Sequence, residues 1–440
     1  MKNVYNFILF GALTFFAVTG CSRKKDKFIN RSWHSLNTKY NILYNGEIAL
    51  ESGKTEINTA YTDNYWEILP IERLQVTDEI VLGDKAQNPN FERAEDKAVK
   101  AIQTHGMNIR GKEKNPQIDE SYILLGKARY FDNRFIPALE AFNYILFKYP
   151  ASSNVNLAKI WRAKTNLRLE NEGLAIENLK ELIGLNKLSD KDKVAAASAL
   201  AQAYITTKAI DSAITQLQLA SELTKNNEEL GRLRFIEGQL YNFLGVKDSA
   251  NIAFDKVISL KPDDREAYSN RALVLKDLCR FDEAMADLNK AIALDPTYPE
   301  AHWNKAVQLL LFGEFEEGWP LFEWRWKTKQ HLETELITSK PQWSGEANKR
   351  VFLWAEQGIG DEIMYASLIP ELAATSSKLI VQCDERLIPL FKRSFIDGIE
   401  YRCRKSPAPE DSYDCHIPMG SLPNIFRPSL DSFSKASKAY

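Results

Sequence analysis

The sequence predicts a mainly α protein: an α-solenoid of stacked helix pairs that runs into a partial α/β segment. Two observations predict it. From Asp119 onward, small and large apolar residues recur with a 34-residue period, the length of one helix–turn–helix unit, which marks a repeat array. After about residue 333 that period stops, and short apolar runs alternate with helical stretches, the pattern of a parallel sheet with crossover helices.

The array justifies itself unit by unit. The segment 119–152 carries Tyr122, Leu125, Gly126, Ala138, Phe142 and Pro150. In the same register, 231–264 carries Gly238, Tyr241, Gly245, Ala250, Phe254 and Pro262, and 265–298 carries Tyr268, Ala272, Phe281, Ala284, Leu288, Ala291 and Pro296. These positions fit the tetratricopeptide consensus. Weaker copies occupy 156–189, with Ala163, Ala175 and Leu179, and 194–227, with Leu200, Tyr204, Ala213, Leu217 and Ala220. A sixth unit, 299–332, keeps Ala306, Gly313 and Phe315 but has Gly318 where alanine is usual, so its second helix is expected to be atypical, as in a capping unit. The small residues Gly126, Ala138, Ala213, Ala250 and Ala284 let paired helices approach, large residues such as Tyr241 and Phe254 fill the layer between units, and the proline ends the second helix. Lys127, Tyr130, Gln202, Gln239 and Asn242 are expected to line the concave face, as solvated surface more than as a defined partner groove. Successive units lack the paired Lys and Asn that a peptide-carboxylate clamp needs.

Upstream, residues 34–58 and 91–109 read as helices separated by a break, Tyr65-Trp-Glu-Ile-Leu-Pro70. Residues 21–118 are therefore expected to form an irregular helical cap on an array spanning 119–332. The chain begins with Lys2 and an apolar run from Phe7 to Val18, shorter than the roughly 20 residues a bilayer span needs but right for the core of a secretory signal. The run ends in Val18-Thr19-Gly20-Cys21, which resembles the lipobox of bacterial lipoproteins. The resemblance implies a signal peptide over 1–20, cleavage before Cys21 and a diacylglycerol on its thiol. The next residues, Ser22-Arg-Lys-Lys-Asp-Lys27, suit anionic headgroups. The expected location is the cell envelope, lipid-anchored at the outer membrane or periplasmic face.

In the C-terminal segment, expected over 341–440, Arg350–Glu356, Lys378–Cys383 and Ile399–Cys403 read as buried strands, with helical stretches to Leu372 and from Arg386 to Phe395. Gly358-Ile-Gly360 opens the first of these helices, where backbone amides suit an anion. The dinucleotide fingerprint nevertheless fails, because its third glycine position is Ile363. Asp361 either caps that helix or serves as a general base for an acceptor hydroxyl.

Two family resemblances attach to these strings. Cys21-Ser-Arg-Lys-Lys-Asp-Lys27, Asn37-Thr-Lys-Tyr-Asn-Ile-Leu-Tyr-Asn-Gly46, Asp63-Asn-Tyr-Trp-Glu-Ile-Leu-Pro70, Tyr122-Ile-Leu-Leu-Gly-Lys-Ala-Arg-Tyr130 and Phe135-Ile-Pro-Ala-Leu-Glu-Ala-Phe142 make residues 1–260 resemble the SprE/PorW lipoproteins. That implies a tetratricopeptide scaffold of type IX secretion and gliding motility, with partners in that machinery. Gly313-Glu-Phe-Glu-Glu-Gly-Trp-Pro-Leu-Phe-Glu-Trp-Arg-Trp326, Pro341-Gln-Trp-Ser-Gly345 and Trp354-Ala-Glu-Gln-Gly-Ile-Gly-Asp-Glu-Ile-Met364 make residues 255–440 resemble tetratricopeptide-linked glycosyltransferase-like proteins of the heptosyltransferase type. That implies a Rossmann-like segment, with Asp361 near an acceptor and Gly358 and Gly360 at a donor phosphate. Such transferases bind the donor mainly in a second domain, for which too few residues follow, and nucleotide sugars belong to the cytosol rather than to an exported chain. The expectation is therefore a scaffold, with an inactive transferase as the alternative. The two resemblances meet at 254–268, where both patterns share repeat consensus, so a natural fusion and a join of two parents both keep helical register.

Composition bounds the rest. The chain has 57 basic and 59 acidic residues, which excludes a nucleic-acid binder driven by bulk charge. Five cysteines in 440 residues are too few for a disulfide scaffold. None falls between Ser22 and Leu278, and Cys279, Cys383, Cys403 and Cys415 lack metal-ligand spacing, as do the five dispersed histidines. The pair Cys415-His416 reads as strand packing. No cofactor, metal or small-molecule substrate is expected; the partners are a membrane, through Cys21, and other proteins.

Overall fold

A computed structural model describes residues 22–74, 86–185, 187–328, 336–395, 397–406 and 408–435. The signal-like run and Cys21 lie outside the described residues. The chain divides into two compact units, residues 1–244 and 245–440.

The first unit opens with α1 (Phe28–Asn37), which widens into a π-helical stretch, Thr38–Leu43, before α2 (Tyr44–Ala60). At the start of the wide turn the Thr38 hydroxyl donates to the His34 carbonyl at 2.7 Å, a local bond that competes with the regular ladder. Helix α3 (Pro89–His105) has proline in its first turn, and the Asn88 side chain accepts the Asn90 amide, a standard N-terminal stop. It ends four residues earlier than the sequence suggests. Residues 108–113 instead form a hairpin, β1 (Asn108–Ile109) against β2 (Lys112–Glu113). The intervening Arg110 and Gly111 have φ of 51° and 77°, and a two-residue turn of that hand matches strand twist.

Helix pairs follow: α4 (Ile118–Phe131) with α5 (Phe135–Lys148), α6 (Val155–Arg168) with α7 (Glu172–Ile183), α8 (Asp190–Thr206) with α9 (Ile210–Leu223), and α10 (Asn227–Phe243). Ala138, Ala175 and Ala213 are fully buried between paired helices. At Gly126 a methyl group would overlap the Phe142 ring, so glycine sets how closely α4 and α5 approach. The last helix of the α5 pair stops at Lys148, ahead of Pro150, as the proline requires.

Short connections between successive helices use a left-handed residue, at Asn133, Glu170, Lys208, Gly245, Cys279 and Gly313. These positions are spaced 37, 38, 37, 34 and 34 residues apart. The spacing ahead of Gly245 is thus longer than the 34-residue period, and the weak copies 156–189 and 194–227 fall in that stretch. Helices α8 and α10 run 17 residues, where the corresponding helix of the 265–298 repeat has 13.

The second unit contains α11 (Lys247–Leu260), α12 (Arg265–Asp277) with α13 (Phe281–Leu294), and α14 (Pro299–Leu311) with the short α15 (Phe315–Phe322). As expected, α15 is atypical: it holds Pro320 and runs into a 3₁₀ turn, Glu323–Lys327. A side chain at Gly318 would collide with Leu310, so the departure from alanine reflects close packing of α15 on α14.

A four-stranded, all-parallel sheet follows, in the order β5-β4-β3-β6. Its strands are β3 (Arg350–Trp354), β4 (Lys378–Cys383), β5 (Glu400–Cys403) and β6 (Cys415–Pro418). Strand β3 stops two residues before the expected Glu356. The expected helix to Leu372 is two helices, α16 (Ile359–Ala366) and α17 (Ile369–Thr375). Helices α18 (Ile388–Ser394) and α19 (Leu422–Phe426) complete the unit. One apolar core joins both parts: Ala306, Trp319 and Phe322 of the last helix pair cluster with Val351, Leu353, Val381 and Ile417 of the sheet. Within this unit the sheet therefore packs directly on α14 and α15.

Candidate functional site

The break between α2 and α3 turns out to be the occupant of a groove. Residues 61–74 have no helix or strand and lie along four helices of the first unit, α4, α6, α8 and α10. They run backward relative to the array, with 63–69 against α10, Ile71 against α8, and Glu72 against α6 and α4.

The grip is on the main chain. The Gln239 side chain accepts the Leu69 amide at 2.9 Å and donates to the Tyr65 and Glu67 carbonyls at 3.3 and 2.8 Å. Gln202 accepts the Ile71 amide at 2.8 Å. Arg232 donates to the Pro70 and Ile71 carbonyls at 2.6 and 3.1 Å. Apart from the Glu67 and Leu74 amides, which bond the Asn64 and Glu72 carbonyls within the segment, these main-chain groups have no ladder partners, and an amide side chain can satisfy both donors and acceptors.

Two carboxylates fix the ends. Arg232 meets Asp63 through two parallel bonds of 2.9 and 2.8 Å, and Arg73 adds a third at 3.0 Å. Burial favours the neutral form of Asp63, but Arg232 and then Arg73 outweigh it and hold the carboxyl below the usual carboxylate range. At the other end Glu72 accepts the Tyr130 hydroxyl at 2.6 Å and the Arg168 guanidinium at 3.1 Å, and it pairs with Lys164. Arg168 also donates to the Tyr130 oxygen at 3.0 Å, and Lys164 stacks on the Trp161 ring at 4.2 Å. Burial again opposes the charge of Glu72, but Lys164 and Arg168 overcome it and bring the carboxyl to about 2. A group held below its ordinary value of 4.5 stabilises the fold above that value and loses its contribution as pH falls through the lower one. The segment is therefore expected to stay seated at pH 5 and to loosen between pH 4.5 and 2. Trp66 fluorescence across an acid titration reports it; loosening that begins near neutrality would contradict the assignment.

Beside Glu72 an open cleft of about 300 Å³ is lined by Ile71, Tyr130, Lys164, Arg168, Ser198 and Gln202, among others. Of the residues expected on the concave face, Tyr130, Gln202 and Gln239 bind the segment. Tyr130 and Gln239 are buried at 1% and 8% exposure, which corrects the expectation of solvated surface. Lys127 is half-buried and lies over Trp161 at 5.5 Å, where burial lowers its pKa. Asn242 is half-buried in the last turn of α10. Glu72, Asp63, Lys164, Arg168 and Arg232 were not foreseen. For Asp63 and Glu72 the sequence signal is the density of charged and aromatic residues in a segment without periodicity; Lys164, Arg168 and Arg232 sit on helices α6 and α10.

In the second unit Asp361 accepts the Gly358 amide at 3.2 Å, the helix-capping role. Gly358 has φ of −71°, so its glycine is not required by the backbone, and a side chain at Gly360 would enter open space. The neighbouring Glu362 is buried, accepts the Asp384 amide at 2.7 Å and pairs with Arg404, tying α16 to the end of β4. His416 accepts the Trp354 indole N–H at 3.1 Å. Burial raises the Cys415 thiol to about 11, far from a thiolate nucleophile. Among the described residues no group of three or more His, Cys, Asp or Glu is placed to hold a metal.

The tetratricopeptide repeat family matches residues 266–298. The chain contains a tetratricopeptide repeat. That match covers α12 and α13, whose pairing is repeated along the helical stack. Protein FlbA of Caulobacter vibrioides is 27% identical over 247 residues, 49% of this chain and 41% of its own length, so the chain spans about two-fifths of that curated relative. Among solved structures, MamA is similar at 26% identity over 39% of this chain and 95% of its own, with a TM-score of 0.34. YrrB, described as a TPR protein with an unusual peptide-binding site, is 17% identical over 44% of this chain and 94% of its own, with a TM-score of 0.37.

Proposed function

We propose that this chain is a scaffold of the cell envelope, anchored to a membrane by a lipidated Cys21, whose repeat array docks protein partners of the type IX secretion and gliding machinery. The observation that carries the scaffold reading is the grip of the first helices on an extended peptide, in which Gln202, Gln239 and Arg232 read main-chain groups and Arg232, Lys164 and Arg168 read carboxylates. Such an arrangement recognises a chain and performs no chemistry on it.

The string Val18-Thr19-Gly20-Cys21 supports the anchor. Arg23, Lys24, Lys25 and Lys27 follow it, and each basic residue near an anionic leaflet adds about 1 kcal/mol. Each buried acyl methylene adds about 0.8 kcal/mol, so more than one chain on Cys21 gives lasting attachment. The likeness of residues 1–260 to the SprE/PorW lipoproteins supports the choice of machinery.

Metabolic labelling with an alkyne fatty acid, followed by fractionation, tests the anchor. The native chain is expected to carry label and sediment with membranes, and Cys21→Ala to lose both. Equal solubility and absence of label in the two chains would sink the lipoprotein reading.

A further inference from the structure

We propose that residues 61–74 are a built-in occupant of the first unit's groove, and that the groove's external ligand is an acidic, non-helical segment of a partner, which must displace them. The proposal rests on the scaffold reading and says what that scaffold recognises and when it is available.

The chemistry of the contact is exchangeable. Of the fourteen residues from Tyr61 to Leu74, Leu69 and Leu74 are buried, Thr62 and Glu67 are exposed and the others are half-buried, with the Tyr65 ring against Phe235 at 5.3 Å. Along most of its length the segment is also held by main-chain bonds to Gln202, Gln239 and Arg232, which a peptide of another sequence can supply. What distinguishes one peptide from another is charge. Asp63 and Glu72, nine residues apart, occupy two cationic subsites, Arg232 at one end and Lys164 with Arg168 at the other. A partner with carboxylates at that separation reproduces both sets of ion pairs along with the main-chain bonds. The cleft beside Glu72 leaves room at the Lys164–Arg168 end, where an incoming carboxylate reaches the cations first. An internal occupant reduces the apparent affinity for any competitor by the fraction of time the groove is open, so the segment also sets a threshold for engagement.

The test uses the full chain and a fluorescent synthetic peptide of residues 61–74. Hydrogen exchange on the native chain comes first. The Leu69 and Ile71 amides are expected to exchange through a local opening, faster than the core amides of α4 and α6. Exchange of those two amides only with global unfolding would overturn the proposal, because the segment would then be a fixed part of the fold.

The peptide is then titrated by anisotropy into the native chain and into an Asp63→Asn/Glu72→Gln chain, whose own segment is weakened while the groove stays intact. Binding is expected to be at least about tenfold tighter in the variant, to weaken with salt, and to be lost again when Arg168→Ala is added. Failure of the peptide to bind the folded variant, or binding indifferent to Arg168, would also overturn it. If the variant does not fold, the native exchange result decides alone. None of these outcomes touches the lipid label at Cys21, so failure of the exchange model is distinguishable from failure of the anchored-lipoprotein reading.

Discussion

Replacing Arg325 with alanine is expected to destabilise the second unit by about 3–5 kcal/mol, the cost of removing one partner of a buried ion pair. The Arg325 side chain has no exposed surface. Its guanidinium donates to Glu323 at 2.8 Å, to the Ser421 hydroxyl at 2.8 Å and to Glu356 at 3.3 Å, and it lies over the Phe322 and Trp326 rings at 4.7 and 4.5 Å. Glu356 also accepts the Gly420 amide at 2.9 Å. Arg325 thus ties the 3₁₀ turn that ends the helical stack to the C-terminal ends of β3 and β6. Without it, Glu356 stays buried with its cation gone. Burial already raises the Glu356 carboxyl, against the pull of Arg325, and losing Arg325 raises it further. A carboxyl held above its ordinary value of 4.5 carries a folding cost that is absent below that value and grows as pH rises through it. The deficit of Arg325→Ala is therefore expected to be largest at neutral pH and to shrink toward pH 4.5. Urea unfolding of both chains at the two pH values measures it. The double variant Arg325→Met/Glu356→Gln should recover part of the loss, since a neutral pair of similar volume leaves no unpaired charge buried. A loss below about 1 kcal/mol, the scale of an exposed pair, would show that the charge reaches water.

The second large effect is expected at Phe142. Its ring is fully buried against Gly126 and stacks on Trp161 at a centroid distance of 6.2 Å. Trp161 in turn meets Tyr130 at 5.3 Å and Phe131 at 5.6 Å. Phe142→Ala removes the filler of the first helix pair and is expected to cost about 3–5 kcal/mol. The converse change, Gly126→Ala, gains up to about 1 kcal/mol of helix propensity. That gain is outweighed, because the added methyl overlaps an aromatic ring that cannot swing aside, and overpacking costs about 1–3 kcal/mol. Chemical unfolding followed at Trp161 measures both. Because Trp161 carries Lys164 on its face, Phe142→Ala should also loosen the Glu72 subsite. A stable Gly126→Ala chain would mean that α5 slides along α4 at little cost.

The helical stack was legible because its determinants are local. Ala138, Ala213, Ala250 and Ala284 recur at fixed offsets from large apolar residues, and all four are fully buried. The fragility of α15 was legible in Gly318 for the same reason. The groove was half legible. Tyr130, Gln202 and Gln239 could be placed on the first-helix face from register alone, but what covers them could not. The bonds from Gln202 to Ile71 and from Gln239 to Tyr65 span 131 and 174 residues. An extended segment has no periodicity to announce its place, and complementarity between Glu72 and the Lys164–Arg168 pair exists only after folding brings them together. The same holds for Arg325, an exposed-looking residue in a Trp-Arg-Trp string until β3 and β6 close over it.

The backward course of residues 61–74 has a mechanical consequence. In a plain solenoid each repeat touches only its neighbours, so stability adds link by link and ends fray independently. A single strand pinned at α10, α8, α6 and α4 bypasses that ladder and acts as a tension chord, coupling repeats that share no interface. With the chord seated, the first unit resists bending and melts as one block. With it released, and before a peptide takes its place, the same helices revert to a chain of hinged links, able to adjust their curvature to the incoming segment.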